Sequence, residues 1–483
     1  MITYQDFLRA KDENQDVSGF VLMAIQAHKD SDDYKIAKDA DLYDRQKNVT
    51  INDYVRILYT ISGAAVEDFT ASNSKIASNF FHRLNTQRCT YSLGNGIYFA
   101  NDKDGKLKES LGPKFDKAVY DAGYNALIHK VSFGFWNDGK LYVFPFTEFM
   151  PLFDEFDGQL KAGIRFWQID DSKPLVAILY EIDGYTRFES AKQENGADDL
   201  SLVQKEKKAY KYRIRSNEAG DEEVIGVEGY SALPVVPFWG SRLKQSTLVG
   251  MQQAIDSFDF IRSGFANDLT DCAQIYWLIS NYGGMTNDDL ARFRDRMKIE
   301  HIVEAPGGES DVKPYTQDIP YNARQTYLTD IRTGIYEDFG GLDVHQVSAD
   351  STNDHLEAAY QPMDENADDF EYQCIEFVQQ ILSVAGLGDD MPVFKRNKIS
   401  NQVEQVQMVM QEAEYLDEET VLNKLPNITP DEVKEILERR DAEDMDRMTG
   451  GGVSPDEEAG LTDQYMTEFG DDVISMLEGL LEG

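Results

Sequence analysis

The stretch from Val249 to Leu387 constrains this chain most. Met251, Ile255, Phe258, Ile261, Phe265 and Leu269 recur at steps of three and four, the signature of a helix with one apolar face. About 23 residues of such a helix rise roughly 35 Å. The insert 272–321 then reads β, α, β, β. Thr286 and Asp289 resemble a capping box for a helix from Asp288 to Lys298. Ile299 to Glu304 and Val312 to Tyr315 are candidate strands around the Pro306-Gly307-Gly308 turn. A second helix, Asn322 to Phe339, places Tyr327, Leu328, Ile331, Ile335 and Phe339 on one face and stops at Gly340-Gly341. A polar loop from Leu342 to Asn353 leads into a third helix, Asp354 to Ala385. There Leu356, Tyr360, Met363, Ala367, Phe370, Cys374, Phe377, Ile381 and Ala385 keep register, and Pro362 predicts a kink. Helices that leave a body, carry a small tip and return are built to line or to span something. Their apolar seams need a surface, and identical neighbours in a closed ring would supply one.

The remainder reads as a mixed, α+β chain. Residues 17–30 and 50–88 have helical spacing: Ile57, Ala64, Ala65 and Phe69 form a stripe, and Ser74 caps a helix carrying Ile76, Phe80 and Leu84. Tyr34 to Asn48, rich in Lys and Asp, reads as a loop or extended segment. From 127 to 240 the period changes to two. Asn137-Asp138-Gly139, Asp157-Gly158 and Asp183-Gly184 are hairpin turns. They separate apolar runs at Lys130 to Trp136, Leu141 to Phe146, Gly163 to Ile169 and Leu175 to Ile182. An antiparallel meander follows, as a sheet or an open barrel. After Pro392 the chain is acidic and helical, with a start signal at Thr429-Pro430-Asp431-Glu432. Thr449 to Gly460 reads as a linker before a last stripe of Tyr465, Phe469, Val473, Met476 and Leu480.

Charge and motif content exclude several functions. Asp and Glu total 87 against 47 Lys and Arg, a net charge of −40. That opposes tight nucleic-acid binding, which needs cations on phosphates, yet permits a duplex to pass close by. Cys89, Cys272 and Cys374 form no paired framework, which points to a reducing compartment. Met1 to Ala10 lacks the apolar core of a signal peptide, and the longest uncharged run, Cys272 to Asn287, is too short and polar to cross a bilayer. No GxxxxGK[ST], GxSxG or HExxH motif and no paired Cys/His spacing occurs. We therefore expect no catalytic residue, metal or cofactor. Asp102-Lys103-Asp104-Gly105 resembles part of a calcium loop, but Ala100 and Leu111 stand where end ligands are required, which favours a hairpin turn. His345 and His355 bracket the polar loop and read as unrelated. Lys205, Lys207, Lys208, Lys211, Arg213 and Arg215 read as a solvated strand face. Arg292, Arg294, Arg296 and Lys298 spread over several faces of the insert's helix, which suits ion pairs to an acidic neighbour and nucleic-acid contact equally.

Three segments carry a family resemblance. Asp41-Leu42-Tyr43-Asp44-Arg45 is similar to an early Tyr-containing loop, and Asn79-Phe80-Phe81 followed by Tyr91-Ser92-Leu93-Gly94-Asn95 resembles a helix leading into a Tyr-x-x-Gly-Asn turn. With the order of elements across about 30–440, the chain resembles portal proteins of tailed bacteriophages, of the siphophage head–tail connector type. The resemblance implies a wing at 1–248, stem helices at 249–271 and 322–341, a clip at 272–321 and a tunnel loop at 342–354. It implies a kinked helix at 355–390 returning to the wing and a helical crown at 391–447, and leaves an acidic tail, 448–483, with a terminal amphipathic helix. Val344, His345, Gln346, Val347, Ser348, Ala349, Asp350 and Ser351 would line the channel. Arg292, Arg294, Arg296 and Lys298 would dock partners, and Pro362 would be the kink. The implied assembly is a homo-oligomeric, dodecameric ring at the capsid vertex of the virion, built in the host cytoplasm. Its implied partners are terminase, a head–tail adaptor, capsid and scaffolding proteins, and double-stranded DNA passing non-specifically; no membrane is involved. Two alternatives stay open: a hydrolase using carboxylates such as Glu148, Asp154 and Glu155, or another virion assembly protein, a scaffold or adaptor.

Overall fold

Apolar alternation on both faces of one strand, Val131–Asn137, organises the layers around it. The computed structural model describes residues 2–440 apart from 15, 60–62, 69–71, 103, 171, 191–200, 217–221, 272–275, 281–285, 287, 289–291, 293–310, 316–319, 344–352, 399–405, 407–408, 414, 426–432, 434–435 and 438. Helix and sheet are mixed throughout. The helices are α1 (Tyr4–Glu13), α2 (Ser18–Asp30), α3 (Asp32–Asp44), α4 (Val49–Asp53), α5 (Phe80–Leu93), α6 (Lys106–Leu111), α7 (Phe115–His129), α8 (Leu248–Asp271), α9 (Tyr321–Phe339), α10 (Asn353–Ala385) and α11 (Glu418–Lys424). The strands are β1 (Ile57–Tyr59), β2 (Ala65–Glu67), β3 (Ile97–Phe99), β4 (Val131–Asn137), β5 (Lys140–Pro145), β6 (Phe149–Phe153), β7 (Leu160–Trp167), β8 (Val176–Glu181), β9 (Gly184–Ser190), β10 (Leu202–Gln204), β11 (Lys211–Ser216), β12 (Glu222–Glu228), β13 (Val235–Trp239), β14 (Tyr276–Ser280), β15 (Asp311–Tyr315) and β16 (Pro392–Phe394).

The turns fall where the Asp-Gly pairs put them. Asp138 and Gly139 both have positive φ and join β4 to β5. The meander is split, however: β6 to β10 form one five-stranded antiparallel sheet, while β13, β4 and β5 form a separate three-stranded one. A short 3₁₀ turn at Phe146–Glu148 carries the chain from one to the other. The two sheets pack face to face. Phe133 and Phe135 of β4 meet Phe149 and Tyr180 of the larger sheet, at ring separations of 4.3 and 4.9 Å. On the opposite face of β4, Ser132 donates to the Ala122 carbonyl of α7 at 2.7 Å, and a Cβ on Gly134 would lie 2.5 Å from Phe377 of α10. Phe377 also stacks on Phe238 of β13 at 4.6 Å. The far face of the larger sheet (Met150, Leu152, Ile164, Phe166) is covered by Phe7, Phe20, Val21 and Ile25 from α1 and α2. The layer order is therefore α1–α2, large sheet, small sheet, then α7 with α10.

These contacts lie in one compact unit, Met1–Val347 with Ala359–Lys398. The second unit comprises Ser348–Ala358 and Ile399–Gly483. In it, α11 is capped by Asp417, whose carboxylate accepts from the Thr420 amide at 3.1 Å, and Lys424 pairs with Glu412 at 2.7 Å. The Thr429-Pro430 start and the terminal stripe lie outside the described residues.

Four sequence expectations need correction. Residues 34–48 are mostly helical, because α3 starts at a Ser31 cap and buries Ala37, Ala40 and Tyr43. Residues 50–88 are not one helical stretch: α4 ends at Asp53, β1 and β2 form a hairpin, and 72–79 has no regular structure before α5. The Asp102 region is no hairpin; the Asp102 carboxylate accepts the Leu107 and Lys108 amides and starts α6. The long apolar seams are buried largely within the chain: α8 buries Met251, Ile255 and Phe258 against Phe80, Phe81 and Leu84, and α10 buries eight of its nine in-register residues, all but Ala385. Truncating Phe377 to Ala is expected to cost about 3–5 kcal/mol, since it empties the space over Gly134 between two layers. A urea titration of the wild type and Phe377→Ala reads that difference.

Candidate functional site

The pair α8 and α9 forms an antiparallel hairpin joined at one end to the body. At that end its packing is dense, with Ile335, Tyr336 and Phe339 of α9 sharing a core with α8 and α5. Toward the other end the apolar face opens. Ile261 and Phe265 are half-buried, while Leu269 is 55% and Tyr321 56% exposed. Arg324 pairs with Asp268, and Phe265 meets the Tyr321 ring at 5.6 Å, so the two helices remain tied there. Beyond them β14 and β15 pair antiparallel from Tyr276↔Tyr315 to Ser280↔Asp311.

A polar stripe on α8 grips an extended segment. The Asp259 carboxylate accepts the Ser78 amide at 2.8 Å, Ser263 Oγ accepts the Ile76 amide at 3.0 Å, and Asn267 Oδ1 accepts the Ser74 amide at 2.6 Å. The match is geometric. Four helical residues advance about 6.0 Å, close to the roughly 6.6 Å of two extended residues. Asn48 Nδ2 also donates to Asp259 and to the Ser78 carbonyl. Burial raises the pKa of the Asp259 carboxyl, against the hydrogen bonds from Asn48 and Ser78 that favour its charged form. Next to it, Tyr43 donates to Asp256 at 2.5 Å, and burial followed by that bond pushes its pKa up to about 12.

The root of the polar loop is fixed as firmly. α9 ends in a left-handed Gly340, with the Gly341 amide donating back to the Tyr336 carbonyl at 2.9 Å. A Cβ at Gly340 would strike the Asn366 amide, which donates to the Phe339 carbonyl at 3.0 Å. Gln87 clamps Leu342 with two 3.0 Å bonds, and Arg332 pairs with Asp343 at 2.8 Å. Val344 to Ser351, the expected channel-lining residues, lie outside the described residues. So do Arg294, Arg296 and Lys298, while Arg292 is exposed at a helical position. Pro362 is exposed inside α10; lacking an amide hydrogen, it leaves the Ala358 carbonyl without its helical donor.

The Tyr-x-x-Gly-Asn segment has a structural task. Tyr91 donates to Asp364 of α10 at 2.6 Å, its carbonyl accepts the Asn397 amide at 3.0 Å, and Asn95 donates to the Lys395 carbonyl at 2.9 Å. Arg396 bridges Glu371, Asp364 and Asp368, and its bonds to Glu371, then Asp368, hold its pKa above the usual range. Tyr43, expected in a loop, lies in α3 and is fully buried.

The residues of the enzymatic alternative are otherwise engaged. Glu148 faces Arg165 at 3.5 Å, the Asp154 side chain accepts the Phe156 amide at 2.8 Å, and Glu155 accepts from Thr3 at 2.6 Å. The basic cluster is partly spent on ion pairs, Lys207 with Glu181 at 2.7 Å and Asp183 at 2.6 Å. Among the described residues no cluster of three or more metal-ligating side chains occurs; His355 is exposed, and His345 lies outside them. The α8 stripe at 259, 263 and 267 escaped the sequence reading, although its four-residue spacing was legible.

Comparison with known proteins identifies the class. Residues 23–446 match the family described as phage portal protein, SPP1 Gp6-like. The chain is 23% identical over 393 residues to the portal protein of Clostridium phage phiCD119, covering 75% of this chain and 83% of that protein. It is 22% identical over 379 residues to the portal protein of Bacillus phage SPP1, covering 74% and 73%. A solved chain from the neck of an empty gene transfer agent particle is 10% identical and covers 71% of this chain and 88% of that one, with a TM-score of 0.41. The chain belongs to the phage portal protein family. Its function is that of a portal ring for DNA packaging, and the hydrolase alternative finds no support.

Replacing Asp259 by Ala strands the Ser78 amide in a buried site, at an expected cost of about 1–3 kcal/mol. Ser257→Ala, on the exposed side of the same helix, is expected to change stability by no more than about 0.5 kcal/mol. Paired chemical denaturation curves separate the two.

Proposed function

We propose a division of labour within that ring. Residues 1–248 form the wing, 249–271 and 322–341 the stem, 272–321 the clip, 391–447 the crown and 448–483 an acidic tail. Residues 342–354 form the tunnel loop, with Val344 to Ser351 touching the duplex sterically. The helix 355–390, bent at Pro362, returns the chain to the wing. Twelve copies surround a channel at the capsid vertex, assembled in the host cytoplasm with capsid and scaffolding proteins. The clip, through Arg292, Arg294, Arg296 and Lys298, docks terminase during packaging and a head–tail adaptor afterwards.

The observation that carries this reading is the family match across 23–446, which spans every one of these segments except the chain's two ends. The opening of the α8–α9 seam away from the body supports it, because Leu269 and Tyr321 are left for neighbouring copies to cover. The charge supports it too. A duplex carries about one negative charge per 1.7 Å, so a wall drawn from a chain of net charge −40 repels it and reduces sticking. The cluster of bonds at Leu342 and Asp343 gives the tunnel loop a rigid base from which to press on passing DNA.

Light scattering on the purified chain is expected to give a ring of many subunits, and negative-stain images to show a central hole; a monomer or dimer overturns the proposal. Shortening 345–352 is expected to leave rings intact while virions lose packaged DNA, measured by protected DNA per particle. Full DNA retention with the shortened loop would refute the tunnel-loop assignment.

A further inference from the structure

The β1–β2 hairpin is anchored at its root and exposes apolar side chains on both strands. Among the described residues, β1 and β2 pair only with each other. Val55, Ile57 and Val66 are 43%, 54% and 44% exposed, and all of β2 is open. A two-stranded hairpin with exposed apolar side chains is at best marginal by itself. Yet its base is held: the Asp68 amide donates to the Arg56 carbonyl at 2.9 Å, and Arg56 donates to the Ser72 carbonyl at 2.9 Å. Tyr54 meets Phe260 of α8 edge-on at 5.1 Å, and Phe260, 46% exposed, extends the apolar patch onto the helix.

A second, different patch lies on the other side of α8. It consists of Leu269 and Tyr321, linked through Phe265, which touches Tyr321 and stands one helical turn before Leu269. Phe260 and Leu269 are separated by two and a half helical turns, so they point to opposite flanks. Asp268, a carboxylate beside the second patch, is neutralised by Arg324. A closed ring of identical chains needs this arrangement: two unlike surfaces on opposite flanks, each meeting its complement on the next copy.

We propose that the β1–β2 hairpin of one copy packs on the Leu269–Tyr321 patch of the next copy around the ring. The proposal rests on the portal-ring reading, and the occupant is a second copy of this chain. Both patches present apolar side chains on a strongly acidic molecule, so their burial offsets the long-range repulsion between neighbours. The hairpin thus acts as an arm, and the polar ladder on α8 holds its root at a fixed height on the stem.

The test uses the full chain carrying Val66→Cys and Leu269→Cys together, with Cys272→Ser to remove the thiol three residues away. Mild oxidation is expected to produce a ladder of covalent multimers on a denaturing, non-reducing gel, while either new cysteine alone gives monomer. A second variant, Val66→Asp, is expected to keep the wild-type far-ultraviolet circular dichroism spectrum and lose the ring by light scattering. Rings of wild-type size without a ladder, or Val66→Asp rings indistinguishable from wild type, overturn the contact. A wild-type chain that forms no ring overturns the portal reading itself and this contact with it.

Discussion

Three backbone amides, those of Ser74, Ile76 and Ser78, hang on one stripe of α8, and much else follows from that grip. An extended segment crossing a helix leaves its amides without sheet partners; that of buried Ser78 must find an acceptor, and those of Ser74 and Ile76 are partly shielded. Asp259, Ser263 and Asn267 supply them at a helical advance that nearly equals the strand advance. The grip fixes the height of the segment on α8. Through it the start of α5 is set, so that Phe80 and Phe81 enter the core shared with Ile255 and Phe258. Helix α8 is therefore attached to the body by polar bonds on one stripe and apolar packing on the next.

That stripe was not read from the sequence, but much of the fold around it was legible, for reasons that can be named. The third helix was read almost residue by residue, because its seam from Leu356 to Ile381 keeps one period over its whole length. The hairpins followed from Asp-Gly pairs whose positive φ few other residues adopt comfortably. What failed was local pattern without context. Residues 57–67 alternate too briefly to declare a hairpin, and their apolar residues fit a helical stripe equally well. In α3 the Lys and Asp residues hid a buried line of Ala37, Ala40 and Tyr43, two of them small. α7 went unread although Phe115, Val119, Ala122 and Ala126 stand at helical spacing. The split of the meander into two sheets was not written in any strand; it depends on Phe149 and Tyr180 meeting β4 across the interface.

The reasoning from unburied seams also needs revising. The apolar stripes of α8 and α10 were read as needing neighbours, and most of each is covered by the chain itself. What stays open is a minority, at the far end of the α8–α9 pair and on the hairpin. A subunit built this way can fold before it assembles, since its cores do not wait for a partner. On the contact proposed above, assembly then rests on small apolar patches.

Charge sets the final condition. A chain of net charge −40 repels its own copies, and the repulsion is strongest where the screening length of about 8 Å is not exceeded. Many cations of the described residues are committed within the subunit: Arg396 to three carboxylates, Lys207 to two, Arg332 to Asp343. They lower local charge where strands and helices meet, and leave the outer surface acidic. Copies can then adhere only where charge is locally absent or cancelled, as at Leu269 and Tyr321 beside the Asp268–Arg324 pair. In the proposed ring, the acidity that keeps a passing duplex from sticking also restricts the sites at which one subunit can hold the next.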